Sequence, residues 1–284
     1  MANILLGKEV ADRMVEDLKV RVQDLQAKGV EPTLAIIRVG ERGDDISYER
    51  GAVKRAEMVG VKTSVRVFDS QIEAEVLKEE IQRINRDDSI HGCLIFRPLP
   101  SHLDEEDVCN TLCPEKDVDG ITSASMAGLL AGSGTGFAPC TAEASLAMLK
   151  HYGIPIKGAR AAVIGRSLVI GKPVALMLLA EHATVTICHT RTVDLASVTR
   201  QSDLIIACAG KAEMLTGDMV SAGQTVIDVG INVTEDGRLV GDVAFDQVEP
   251  IVANITPVPR GVGSVTTTIL MQHVVEAAER CAGN

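Results

Sequence analysis

The nine residues Gly165-Arg166-Ser167-Leu168-Val169-Ile170-Gly171-Lys172-Pro173, directly after the apolar run 161–164, constrain this chain more than any others. They predict a strand running into a glycine-rich turn, with a helix over about 173–180 behind it. Glycine lets the backbone take positive φ and approach a ligand closely, while the first turn of the next helix offers unpaired N–H groups and partial positive charge. A pyrophosphate suits such a turn, although glycine there also serves plain strand–helix packing. Three more short apolar runs follow at Thr184–Cys188, 203–210 and 225–230, each ending in small residues. Buried runs separated by helical stretches predict a parallel, doubly wound sheet, with a ligand at the carboxyl ends of its strands.

The second of these strands ends in His189-Thr190-Arg191-Thr192. A fold that binds NAD usually carries an acidic residue near this point for the ribose 2′-hydroxyl. None is present, and Arg191 with Arg166, Ser167 and Thr190 suits a 2′-phosphate instead, which favours NADP. NAD stays open as the alternative, because Arg191 also fits a solvated helix start and Arg166 a partner of the pyrophosphate. His189 is expected to be structural rather than catalytic.

At 284 residues the chain is long enough for about two domains. Its net charge of −11 argues against a nucleic-acid or anionic-membrane surface, and no apolar run approaches the ~20 residues that span a bilayer. The start, Met1 to Glu9, lacks a signal-peptide core, so a cytoplasmic enzyme is expected. Seven scattered cysteines, with no C-x-x-C pair and no histidine cluster, predict reduced thiols and no metal site.

The first half alternates as well. Helices are predicted over about 7–28, 45–59 and 72–85, with strands at Thr33–Val39, 63–68 and 92–96. A glycine-rich, low-charge stretch at 128–136 leads to Pro139-Cys140-Thr141, which marks a domain junction. The last helix, about 265–281, returns to the first domain. The expected fold is α/β, with two α/β domains: one of residues 1–138 and 265–284, and a Rossmann-type domain of residues 139–264.

Six motifs then carry a family resemblance: Lys116-Asp117-Val118-Asp119-Gly120, Pro139-Cys140-Thr141, the run 165–173, Ile227-Asp228-Val229-Gly230-Ile231-Asn232, Gly241-Asp242-Val243, and Thr256-Pro257-Val258-Pro259-Arg260-Gly261-Val262-Gly263. In this order they resemble the methylenetetrahydrofolate dehydrogenase/cyclohydrolase family over essentially the whole chain. The resemblance implies an amino-terminal folate-binding domain, a carboxyl-terminal dinucleotide domain, a cleft between them and a homodimer. It implies oxidation of 5,10-methylenetetrahydrofolate to the 5,10-methenyl cation, with hydride passing to NADP or NAD; many members then hydrolyse the cation to 10-formyltetrahydrofolate. Substrate contacts are expected from Tyr48, Asp119, Pro259 and Gly261, with Tyr48 and Asp119 at the reacting centre. Cofactor contacts are expected from Gly165, Arg166, Ser167, Gly171, Pro173, Thr190, Arg191 and Ile231, while Asp228 and Asp242 organise loops at the strand ends.

The sequence departs from the family at two places. The family has a lysine four residues after its tyrosine, where this chain has Ala52, and a glutamine where this chain has Phe96. Lys54 lies six residues after Tyr48 and, at about 100° per residue, points roughly 160° away from the face of Ala52. Arg97 follows Phe96 and would enter the site if the register slipped by one. Arg260 and Ser264 replace the family's usual glycine and proline. Hydride removal needs alignment and electrostatics, whereas hydrolysis needs a group that deprotonates water and then protonates the departing nitrogen. The expectation is therefore a dehydrogenase with weak or absent cyclohydrolase activity. Two alternatives stay open: a bifunctional enzyme in which Lys54 or Arg97 has taken over, and a non-catalytic folate- and nucleotide-binding protein.

Overall fold

A computed structural model describes residues 1–283. In chain order the elements are β1 (Asn3–Ile4), α1 (Gly7–Ala27), β2 (Thr33–Val39), α2 (Gly43–Val59), β3 (Lys62–Phe68), α3 (Ala74–Arg86), β4 (Gly92–Ile95), α4 (Glu105–Cys109), α5 (Ser123–Ala131) and α6 (Cys140–His151). They continue with β5 (Arg160–Ile164), α7 (Gly171–Ala180), β6 (Thr184–Cys188), α8 (Leu195–Arg200), β7 (Leu204–Ala207), β8 (Thr225–Asp228), β9 (Asn232–Val233), β10 (Leu239–Val240), α9 (Phe245–Val248), β11 (Asn254–Ile255) and α10 (Thr266–Ala282). The chain divides into two compact units, one of residues 1–12 and 141–266, the other of residues 13–140 and 267–284.

The larger sheet belongs to the first of these units. Its six strands are all parallel, in the order β1-β11-β8-β7-β5-β6. After β5 the chain moves to β6 on one side and then returns to β7 on the other, so the direction of winding reverses between β5 and β7. Ligands bind parallel sheets at such a switch point. Strands β5, β7 and β8 are covered on both faces, with Ala162, Val163, Ile205, Ile206, Val226 and Ile227 all fully buried, whereas the run Thr184–Cys188 forms an edge strand with Thr184, Thr186 and Ile187 exposed.

One boundary differs from the sequence-based expectation. The first residues pack with this carboxyl-terminal unit, since β1 pairs with β11 through Asn3–Asn254 and Ile4–Ile255. A two-residue strand carries almost no periodic signal, and its partner lies some 250 positions away in sequence, so nothing local announces it.

The second unit holds a three-stranded parallel sheet, β3-β2-β4. Side chains alternate across a strand. Ala35, Ile37 and Val39 of β2, with Cys93 and Ile95 of β4, therefore meet the apolar stripe Leu77, Ile81 and Ile84 of α3. Leu34, Ile36 and Arg38, with Leu94 and the following Phe96, share the opposite face. Helix α2 ends at Gly60, whose φ of 86° suits the left-handed cap of a helix and whose N–H bonds to the Ala56 carbonyl.

The glycine-rich stretch at 128–136 is a packed turn rather than a loose connection. Helix α5 occupies its first part, and a methyl group on Gly128 would lie 2.1 Å from the Thr135 carbonyl oxygen. Gly136 is equally tight against Ser125. Glycine here lets a chain segment fold back onto α5, which is why the composition resembles a linker and the structure does not.

The tightest backbone approach at the switch point is that of Gly165. Its φ is 140°, and an added Cβ would sit 2.3 Å from the Cys208 carbonyl oxygen at the end of β7. Gly165→Ala is expected to lower stability by about 2 kcal/mol or more, read as a lower urea midpoint with an unchanged slope.

Candidate active site

The turn after β5 starts at Gly165 and closes at Gly171, the first residue of α7. A Cβ on Gly171 would lie 2.4 Å from the Gly165 carbonyl oxygen, so both glycines are required by close backbone contact. Ser167 Oγ accepts hydrogen bonds from the Ile170 and Gly171 N–H groups at 3.1 and 3.4 Å. It therefore braces the start of α7 through its lone pairs, while its O–H, on an exposed side chain, is still available as a donor. Pro173 is buried inside the first turn of α7, where a missing N–H costs nothing. Arg166 is exposed on the turn.

At the end of β6, Thr190 and Arg191 are also exposed. The Arg191 N–H donates to His189 Nδ1 at 3.1 Å, and the His189 N–H donates to Thr192 Oγ1 at 2.8 Å. His189 thus shapes the turn that presents Arg191. The turn holds an arginine and no carboxylate, as its sequence foretold.

Two carboxylates brace the neighbouring strand ends. Asp242 is fully buried and accepts N–H groups from Ala209, Gly210 and Lys211 beyond β7, with a further bond from Asn232 Nδ2 at 2.9 Å. Asp228 accepts the N–H groups of Gly230, Asp242 and Val243, each at 3.0 Å. Burial pushes its carboxyl up to about 7, against the pull of those three donors. Gly230 and Gly241 are glycines because the carboxylates occupy the space a Cβ would need, at 2.2 and 1.9 Å. Both aspartates act on loops, as expected.

A pocket of about 220 Å³ lies beside them, lined among others by Asp228, Ile231, Pro259, Arg260 and Gly261. It unites Ile231 with Pro259 and Gly261, three residues singled out separately from the sequence. Arg260 takes the place of a glycine and keeps a glycine-like φ of 82°. The loop holds it there: the Arg260 carbonyl accepts the Gly7 N–H at 2.9 Å, and Gly261 packs where a Cβ would meet the Pro257 oxygen at 2.3 Å.

In the other unit, the run 116–120 separates into supporting and available groups. Lys116 Nζ donates to the Ile84 and Asp87 carbonyls at 2.7 Å each, closing the end of α3. Asp117 is fully buried and accepts from the Ile121 and Thr122 N–H groups and from the Thr122 and Ser125 hydroxyls. It fixes the turn that carries Asp119. Burial raises the Asp119 carboxyl to about 6, opposed by the charge of Arg97 and reinforced by that of Asp117. Gly120, at φ 65°, leaves no room for a Cβ against Ala138 and Pro139.

Tyr48 sits in α2, 38% exposed, with its ring edge-on to Phe96 at 5.8 Å. Burial and the charge of Asp119 raise its phenol well above the ordinary range, so it stays protonated. Ala52 is fully buried, whereas Lys54 is exposed. Phe96 is 8% exposed and fills the space beside the tyrosine. Ile37 lies opposite Ile95, and the Phe96 N–H donates to the Ile37 carbonyl. Arg97 is half-buried, and its charge opposes the upward shift of the Asp119 carboxyl.

None of the seven cysteines forms a disulfide, and five are buried. Among the described residues no three His, Cys, Asp or Glu side chains group to hold a metal, and no helix is long and apolar enough to cross a membrane.

A parallel sheet with a glycine cradle at its switch point defines the class as a dinucleotide-binding α/β protein with a second α/β unit. Family models break the chain near the same central junction, although they assign residues 5–12 and 267–282 in sequence order rather than by contact. Residues 5–119 match the catalytic domain of tetrahydrofolate dehydrogenase/cyclohydrolase, and residues 139–282 match its NAD(P)-binding domain. The chain belongs to the tetrahydrofolate dehydrogenase/cyclohydrolase family. It is 50% identical over 281 residues to the bifunctional protein FolD of Carboxydothermus hydrogenoformans, covering 98% of each chain. The crystal structure of the bifunctional FolD enzyme from Campylobacter jejuni matches with a TM-score of 0.96 at 40% identity, over 99% of both chains. The Trypanosoma brucei FolD enzyme, complexed with NADP cofactor and an inhibitor, matches with a TM-score of 0.91 at 34% identity, over 98% of both.

Because the Asp119 carboxyl titrates higher in the fold than in the unfolded chain, its contribution to stability is favourable in acid and is lost as pH rises from about 4 through about 6. Asp119→Asn is expected to be more stable than the parent by about 1–2 kcal/mol at pH 7.5, with the difference vanishing near pH 4. Urea melts across this range check it.

Proposed function

We propose that the chain oxidises 5,10-methylenetetrahydrofolate to the 5,10-methenyl cation, with NADP as the preferred hydride acceptor. The observation that carries this reading is the cradle of Gly165 and Gly171 at the switch point, in a chain whose two halves match the two family domains. The dinucleotide supplies the hydride-accepting ring when bound. Gly165, Gly171 and the amino end of α7 would hold its phosphates, with Ile231 at the pocket beside them. Arg191 and Arg166, exposed and without a nearby carboxylate in the 189–192 turn, support selection for a 2′-phosphate. Asp119 would meet the pterin ring and Tyr48 would pack against the folate. Pro259 and Gly261 are assigned to substrate on the family pattern. A cytoplasmic homodimer is inferred from the same pattern.

The names of the relatives support a second step better than its loss: they describe bifunctional enzymes, which points to hydrolysis of the methenyl cation to 10-formyltetrahydrofolate. In this chain Arg97, half-buried and felt by Asp119, is then a better candidate than the exposed Lys54 for electrostatic support of that step. One observation favours the opposite reading, in which hydrolysis is weak or absent. Ala52 and Phe96 offer no proton-transfer group where the family has lysine and glutamine.

Purified protein supplied with methenyltetrahydrofolate decides between the two. Decay of the cation's absorbance faster than an enzyme-free blank supports the bifunctional reading; decay at the blank rate, beside normal NADP-dependent oxidation, supports loss. Absence of any oxidation would overturn the dehydrogenase itself. For the cofactor, Arg191→Ala is expected to raise the KM for NADP about tenfold, the scale of one charge-assisted phosphate contact, and to leave that for NAD within twofold. Equal losses would remove the 2′-phosphate assignment.

A further inference from the structure

Arg38 is a buried cation in the middle strand of a three-stranded sheet, a place normally filled by an aliphatic side chain. It is only 9% exposed. Its Nε donates to Glu49 Oε2 at 2.8 Å, and Nη1 donates to the Gly40 carbonyl at 2.6 Å. Both charged side chains are largely buried, at 11% and 16% exposure. Glu49 is the residue after Tyr48 in α2. The pleat places Arg38 on the same sheet face as Phe96, which touches the Tyr48 ring. The final side chains of two adjacent strands on this face therefore grip consecutive residues of one helical turn.

An ion pair of this kind is a poor way to gain stability, because desolvating two charges offsets most of their attraction, and a well-packed apolar pair serves as well or better. What it supplies is direction. The guanidinium plane is fixed by the Gly40 carbonyl, and Glu49 meets it only if α2 has one rotation about its axis. That rotation sets where Tyr48 points. Arg42 adds a second tie, with Nη1 on the Pro98 carbonyl at 3.1 Å in the loop that carries Phe96 and Arg97. The two arginines bracket the turn from Arg42 to Glu49.

We propose that Arg38 and Glu49 are positioning residues for the substrate site: their ion pair sets the rotation of α2 and thereby the placement of Tyr48 against the folate. The proposal rests on the assignment of folate to this unit. Its test separates the two. Binding of tetrahydrofolate to the intact chain is measured by calorimetry, together with the KM values for methylenetetrahydrofolate and NADP and the urea midpoint. Glu49→Gln is expected to weaken tetrahydrofolate binding about tenfold, with the NADP KM within twofold of the parent. The double variant Arg38→Met/Glu49→Leu is expected to match or exceed the parent in urea midpoint and still bind folate about tenfold more weakly, because packing is restored and direction is not.

A parent that binds no tetrahydrofolate overturns the folate assignment. A parent that binds, with a double variant that binds equally well, overturns the positioning role and leaves the pair purely structural. If Glu49→Gln is too unstable to assay, the double variant carries the comparison. Loss of NADP and folate affinity together in a folded double variant also overturns the proposal, since the effect would not be confined to this site.

Discussion

The carboxyl ends of β5 and β7 approach each other so closely that Gly165 and the Cys208 carbonyl leave no room for a side chain. Parallel strands on either side of a switch point diverge into helices and loops on opposite faces, and the gap between them is where backbone N–H groups collect. Everything else at this end of the sheet serves that gap. Gly171 brings the first turn of α7 against the Gly165 carbonyl, Ser167 caps the same turn, and Asp242 gathers the three N–H groups beyond β7. Asp228 in turn holds the backbone of Asp242. The result is a rigid rim built from backbone and two buried carboxylates, which is the form of preorganisation that binding a charged cofactor requires.

The other unit uses carboxylates differently. Asp117 and Asp119 lie two residues apart in one turn, yet one accepts four hydrogen bonds and the other is held in a desolvated setting where its charge is costly. The first makes the second possible, since the turn that exposes Asp119 would otherwise have no partner for its N–H groups. Arg97 tempers the cost. The buried Asp119 carboxyl costs stability as pH rises from about 4 through about 6, and carboxyls perturbed in this way cluster at functional sites.

The replacements at positions 52 and 96 form a consistent local solution. Helix α2 presents Ala52 and Ala56 inward, both fully buried, and Phe96 fills the volume beside Tyr48. A long cationic side chain at 52 and an amide at 96 would need polar partners in that space. The charges of this region instead sit at Arg38, Glu49, Arg42 and Arg97, around the aromatic pair rather than within it. The charged groups thus surround the aromatic pair, and neither position 52 nor position 96 carries a titratable side chain.

Much of this was legible in the amino-acid sequence, for local reasons. Short apolar runs with small residues at their ends predict parallel strands, the spacing Gly165 to Gly171 predicts the phosphate turn, and six ordered motifs identify the family. The substitutions at 52 and 96 are visible because the motifs frame them. What only the tertiary structure decided are relations between distant positions. The pairing of Asn3 with Asn254 places the first residues in the carboxyl-terminal unit. The contact of Gly128 with Thr135 makes a packed turn out of a sequence that resembles a linker. The meeting of Arg38 with Glu49, and the division of labour between Asp117 and Asp119, follow from burial and hydrogen-bond geometry. Sequence period and composition report how one segment meets solvent; which buried charge finds which partner depends on the packing of several segments at once.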